Sequence, residues 1–225
     1  MVMSNASSPG KAIPDGRRYL RTPQPLVFPV AAEKMPETGE HALACADLFT
    51  LVRAFVGPRG AVGSDQFVYF DPSDPSACLA PDLIVRIGAS PELFPSWKTW
   101  ERGAPHVGVE ITSAFDASQL EWERKLERYT RAGIAEVVRF DPANQEQPLR
   151  LWDLFDGDLV ERSLEGDGAR LSDALGAHWC VRPHRELGQR LGLSLDASDQ
   201  RPVLTSEEQA LARIAELEAE LSKHR

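Results

Sequence analysis

Apolar residues change their period several times along this chain, and each change predicts an element. Leu43, Ala44, Leu48, Leu51, Val52 and Phe55 follow i, i+4 and i+7 spacing, the period of a helix with one buried stripe. Thr38 is the expected N-cap and Gly57-Pro58 the stop, although His41 rather than a glutamate stands three residues after the cap. Short apolar runs then predict strands at 66–70, 83–87, 107–111, 136–140 and 149–154. The last of these turns through Asp156-Gly157, a strong hairpin pair, into a strand at 159–162. Residues 114–132 predict a second helix ended by Gly133, with Leu120, Lys125 and Tyr129 along one side and Trp122 and Leu126 on a neighbouring stripe. Residues 171–193 read as closing helical turns broken at Pro183. In the tail, Ala210, Ile214, Leu217 and Leu221 recur at 4-3-4 spacing, an amphipathic helix too short for a firm coiled coil.

The order helix, strands, helix, strands predicts an α/β domain with a mixed central sheet flanked by helices, over residues 36–193. Residues 1–35, rich in Pro, Ser, Gly and Arg, predict an N-terminal arm, and 194–225 a linker with a C-terminal helical tail. A length of 225 residues suits one domain with such appendages. The net charge of −9 is the wrong sign for a protein that coats nucleic acid nonspecifically, though not for a nuclease whose metal neutralises local acids. Three scattered cysteines make no disulfide framework, so a cytosolic location is expected. No run approaches the roughly 18 apolar residues of a membrane span, and no secretory signal is visible.

Two of the apolar runs carry a carboxylate, Asp82 at the start of one and Glu110 inside the other. An unpaired buried charge is costly, so acids in such runs call for compensation. Hydrolysis of a phosphodiester with Mg²⁺ (or Mn²⁺) needs rigid oxygen ligands, a positive charge near the phosphate and an activated water. Asp82 and Glu110 on adjacent strands would supply ligands, the main-chain carbonyl of Ile111 another, and Lys125 would orient the water or steady the phosphate. Plainer readings stand beside these. Asp82 could be a strand-entry residue, Glu110 could face solvent opposite Val107, Val109 and Ile111, and Lys125 could belong to a salt-bridged helix face. Glu40 could simply favour the positive end of its helix.

Together, Pro81-Asp82, the Glu110-x-x-Ser113 step, Lys125 and Tyr129 before Gly133-Ile134-x-Glu136, and Phe140-Asp141 resemble the Uma2 (DUF820) family of the PD-(D/E)XK nuclease superfamily. Glu121 and Tyr129 flank Lys125 at four residues each, similar to the family's D-x3-K-x3-Y with glutamate in place of aspartate. Glu40-His41 resembles the family's E-H at the first helix. The resemblance implies a restriction-endonuclease-like fold and a metal-dependent endonuclease acting on DNA. It further implies that the superfamily's E-x-K lysine has moved to Lys125, with Asp82, Glu110, Lys125 and Glu40 as site residues. This chain departs from the family pattern at Ser113-Ala114-Phe115 and Val137-Val138, and its loop between Asp82 and Glu110 is long.

Two other function classes remain open: a nuclease fold that binds or assembles without cutting, and a metal hydrolase of small phosphoesters. Cutting two strands needs two sites or two visits, so a homodimer is a reasonable expectation. The loop from Ser96 to Arg102 interleaves tryptophan with basic residues, which suits either stacking on nucleic acid or clamping of the loop. His178, Cys180 and His184 lack the spacing of a zinc site, and Trp179 and Cys180 read as packing.

Overall fold

The computed structural model describes Phe28, residues 38–112 and residues 119–223. The expected N-terminal arm, Phe28 apart, and the Ser113 end of the Glu110-x-x-Ser113 step lie outside those residues. Helix α1 (Gly39–Val56) leads into β1 (Gly60–Gly63), β2 (Val68–Tyr69), β3 (Cys78–Leu79), β4 (Leu83–Ile87) and β5 (Trp97–Lys98). The one-turn helix α2 (Thr99–Arg102), β6 (Val107–Ile111), α3 (Gln119–Ala132), β7 (Glu136–Phe140), β8 (Leu149–Phe155) and β9 (Asp158–Glu161) follow. The chain continues through β10 (Leu171–Ser172), β11 (Ala177–His184), β12 (Gly188–Ser194) and α4 (Ser206–Lys223).

The fold is α/β, with a six-stranded mixed sheet in the order β1-β4-β6-β7-β8-β9. Only β6 and β7 run parallel within it, joined by the crossover through α3; the other neighbours are antiparallel. Both faces are covered. On one, α1 packs with Val107, Val109, Ile111 and Phe140 and with Trp179, Leu191 and Leu193 of the second sheet. On the other, Trp122 and Tyr129 of α3 pack with Ile84, Val137, Trp152 and Trp97. Every residue of β6 is therefore buried, and Glu110 has no solvent face to occupy. Alternation alone could not reveal this, because a strand buried on both sides keeps no polar face.

Local signals place the helix ends. The Thr38 hydroxyl accepts from the His41 amide at 3.2 Å and caps α1. Gly133, at φ +71°, closes α3: the Ile134 amide reaches the Tyr129 carbonyl at 3.2 Å and the Gly133 amide the Thr130 carbonyl at 3.0 Å. Asp156 and Gly157 both take positive φ, as a two-residue hairpin between twisted strands requires. Trp97 clamps its loop: it is 1% exposed and its indole N–H donates to the Gly103 carbonyl at 2.8 Å.

Residues 171–193 are strands, not the expected helical turns. β10, β11 and β12 form a three-stranded antiparallel sheet whose Ala177, Trp179, Leu191 and Leu193 face the core. Short apolar runs are ambiguous between the two periods, and here the Gly176 and Gly188 turns at positive φ decide for a hairpin. The tail is helical as expected, and α4 buries none of its residues. Its first turn carries a complete capping box: the Thr205 amide donates to Glu208 at 2.8 Å and the Glu208 amide to the Thr205 hydroxyl at 3.2 Å. Arg190 pairs with both Glu208 and Asp47, which ties the start of α4 to α1.

Candidate functional site

Antiparallel register brings the two acids together. Leu83 pairs with Val109 and Ile84 with Gly108, so one further step sets Asp82 opposite Glu110. Both are buried, at 8% and 5% exposure. Asp82 is pinned from two sides: its Oδ2 accepts the Ile111 amide at 2.6 Å, and its Oδ1 lies 3.3 Å from His41 Nε2 on α1. What Ile111 presents to Asp82 is thus its N–H.

Glu110 is held by two residues one helical turn apart on α3. The Tyr129 hydroxyl donates to Oε1 at 2.6 Å, and Lys125 Nζ sits 2.6 Å from Oε2. Spacing of i, i+4 puts both on one face of the helix. The sequence also makes room for them: an added Cβ at Gly108 would lie 2.5 Å from a Tyr129 ring carbon. Glycine at that point lets the phenol pass over the strand to reach the acid two residues along the same face. Gly108→Ala should therefore destabilise the fold by about 1–3 kcal/mol through overpacking, read as a drop in denaturation midpoint.

Burial raises the Glu110 carboxyl from its ordinary 4.5 to about 7, and the Asp82 charge adds to this, while Lys125 pulls the other way. Tyr129 is pushed well above its ordinary range by burial and by the neighbouring carboxylate. A hollow of about 90 Å³ opens beside Glu110, lined by Thr112, Glu121, Trp122, Lys125 and Arg139 among others. One water needs only about 10–15 Å³ of such space, so an ion and a few waters fit. Arg139 pairs with Glu110 across β6 and β7 and lays its guanidinium over the Trp122 ring at 4.8 Å. A second hollow of about 230 Å³ lies towards α1, lined by Thr38, Glu40, His41, Ala44, Ile111 and Thr112 among others.

Asp82, Glu110, Lys125 and the Ile111 main chain thus come together. Glu40 is exposed and lines the α1-side hollow, and the side chain from that helix that reaches Asp82 is its neighbour His41. Sequence reasoning gave no role to His41 at Asp82, to Tyr129 as the donor to Glu110, or to Arg139. Gly108 two residues before Glu110, with a tyrosine four residues after the lysine, was the available signal for Tyr129.

Glu136, part of the family-like segment, has a different setting. It accepts from the Trp179 indole at 2.7 Å and pairs with Arg162 at 3.4 Å, so its partners join the two sheets. Trp179 and Cys180 are buried as packing residues.

Two buried carboxylates on neighbouring strands, with one held near neutrality by burial and by the other's charge, form a donor set that a divalent cation relieves. The oxygen donors suit Mg²⁺ or Mn²⁺, and each carboxylate oxygen keeps a second lone pair beyond its present partner.

A family model described as "Uma2: Putative restriction endonuclease" matches residues 31–182, more than half of the chain. No curated protein matches it. Among solved structures, one described as "a putative nuclease belonging to DUF820" from Anabaena variabilis is 16% identical, with a TM-score of 0.44 over 74% of this chain and 82% of that one.

Proposed function

Because the chain belongs to the Uma2 family, we propose that it is a divalent-metal-dependent endonuclease that hydrolyses DNA phosphodiester bonds at the Asp82–Glu110 pair. The observation that supports this best is the cross-strand pairing of two buried acids, one of which, Glu110, lines a hollow together with its partner Lys125. Asp82 and Glu110 would hold the ion, with the Ile111 carbonyl as a further ligand and Glu40 as an acid at the edge of the neighbouring hollow. When bound, Mg²⁺ or Mn²⁺ supplies a Lewis acid for a phosphate oxygen and acidifies a bound water.

The protein's own residues do the rest. Tyr129 fixes the rotamer of Glu110 through its hydroxyl, and the Ile111 amide does the same for Asp82. Lys125 releases Glu110 Oε2 and turns its ammonium to the attacking water or to a non-bridging phosphate oxygen. Arg139, on the wall of the same hollow, adds a second positive charge that offsets the phosphate. The test is plasmid nicking with Mg²⁺ or Mn²⁺ by the unsubstituted chain and its Glu110 and Lys125 variants. Equal nicking by all, or by none, would sink the reading.

Ion binding should depend on pH. Glu110 titrates near 7 when folded, so below that pH an ion must displace its proton. The expected Mn²⁺ affinity falls towards tenfold per pH unit below about 7 and flattens above it, with proton release measurable by calorimetry in buffers of different ionisation enthalpy. Stability of the metal-free chain should move the opposite way. A carboxyl whose folded pKa is raised stabilises the fold at pH below about 4.5, and that contribution is lost as pH climbs through about 7.

One observation supports the reading of a nuclease fold that does not cut: each oxygen of Asp82 and Glu110 already has a protein partner. In that case Mn²⁺ binds weakly or not at all, and Asp82→Asn leaves binding unchanged.

A further inference from the structure

We propose that His41, Cys45 and Asp82 form a zinc site that shares Asp82 with the Asp82–Glu110 pair, so that Zn²⁺ and the oxygen-bound cation exclude each other. The zinc site stands on its own geometry; only the exclusion rests on the nuclease reading. His41 and Cys45 are four residues apart on α1 and project from one face. Asp82 comes to them from the start of β4. The His41 ring nitrogen, the Cys45 sulfur and an Asp82 carboxylate oxygen lie within 4.8 Å of one another.

The individual spacings sharpen the case. His41 Nε2 is 3.3 Å from Asp82 Oδ1 and 3.4 Å from Cys45 Sγ. A tetrahedral zinc with bonds of about 2.0–2.3 Å holds its ligand atoms about 3.3–3.6 Å apart. The two separations from His41 already match edges of that tetrahedron, and the Cys45 sulfur and the Asp82 oxygen lie within 4.8 Å of each other. As a hydrogen-bonded cluster, one ring nitrogen is shared between a thiol and a carboxylate, and its approach to Asp82 is longer than the usual 2.7–3.2 Å or so.

The donor types discriminate between ions. A thiolate and an imidazole select zinc over Mg²⁺, while Glu110 on the far side of Asp82 adds only oxygen. Cys45 and Asp82 are 6% and 8% exposed, so solvent competes little for either. The hollow of about 230 Å³ lined by His41 and Glu40 leaves a path for a fourth ligand, such as water. Binding takes His41 as neutral imidazole and Cys45 as thiolate, and the thiol proton goes to solvent.

Co²⁺ titrated into the metal-stripped full-length chain tests this, because a cobalt–thiolate bond absorbs in the near ultraviolet. The expected result is a charge-transfer band that saturates at one ion per chain and is displaced by Zn²⁺. A Cys78→Ser/Cys180→Ser chain, in which Cys45 is the one remaining thiol, should keep the band. Zinc-edge X-ray absorption on the unsubstituted chain should find one sulfur at about 2.3 Å. No band, loss of the band in the double variant, or a sulfur-free shell would overturn the site. Zinc-saturated protein should also bind Mn²⁺ at least tenfold more weakly than metal-free protein. Equal Mn²⁺ affinity would overturn the sharing of Asp82. A chain that takes zinc through Cys45 but never Mn²⁺ would instead overturn the nuclease reading and leave the zinc site standing.

Discussion

Glu110→Gln is expected to lower metal-dependent nicking by about 10³-fold or more, equivalent to roughly 4 kcal/mol of transition-state stabilisation. Glutamine keeps the length of the side chain and an oxygen for the Tyr129 hydroxyl, which donates at 2.6 Å. What it removes is the negative charge that an ion needs. Burial already opposes that charge, so the same substitution should leave the metal-free fold as stable as before, or more stable, at pH above about 7. Loss of activity with retained or raised stability separates a site residue from a structural one. The two readouts are initial nicking rate in Mg²⁺ and denaturation midpoint in chelator.

Lys125→Met should separate chemistry from metal binding. Its ammonium sits 2.6 Å from Glu110 Oε2, where it competes with a cation for the carboxylate. Removing it should leave Mn²⁺ affinity unchanged or tighter, while single-turnover cleavage falls about 10²–10³-fold for want of a charge at the phosphate. Arginine at this position should rescue little, since its planar fork is longer and differently hydrated than an ammonium. A variant that loses metal and cleavage together would make Lys125 a structural support for Glu110 rather than a group acting on substrate.

Much of this architecture was legible because the relevant signals are local. The cap at Thr38, the Gly133 stop, the Asp156-Gly157 turn and the apolar runs of β4, β6, β7 and β8 each depend on a few adjacent residues. The pairing of Asp82 with Glu110 was legible as an expectation, since neighbouring apolar runs that each keep an acid call for a shared partner. The burial of Glu110 on a two-sided strand was not, because it depends on α3 arriving from a distant part of the chain. Gly108 holds the clue, but a glycine in a strand has several readings until the ring that fills its space is known.

The strands β11 and β12 were misread for a related reason. Their inward residues meet α1, which lies far away in sequence, and the runs themselves carry few β-branched residues. His41 and Cys45 were hidden because an i, i+4 pair on an amphipathic helix is ordinary. Only the arrival of Asp82 turns them into a ligand set.

The most direct test of a shared ion is Mn²⁺ binding, read by electron paramagnetic resonance, to the unsubstituted chain, Asp82→Asn, Glu110→Gln and the double variant. If one ion bridges the two acids, each single change should weaken binding by at least about tenfold, and the double variant should lose little beyond either single, since coupled residues are not additive. Binding that is indifferent to both changes, or losses that simply add, would contradict the account.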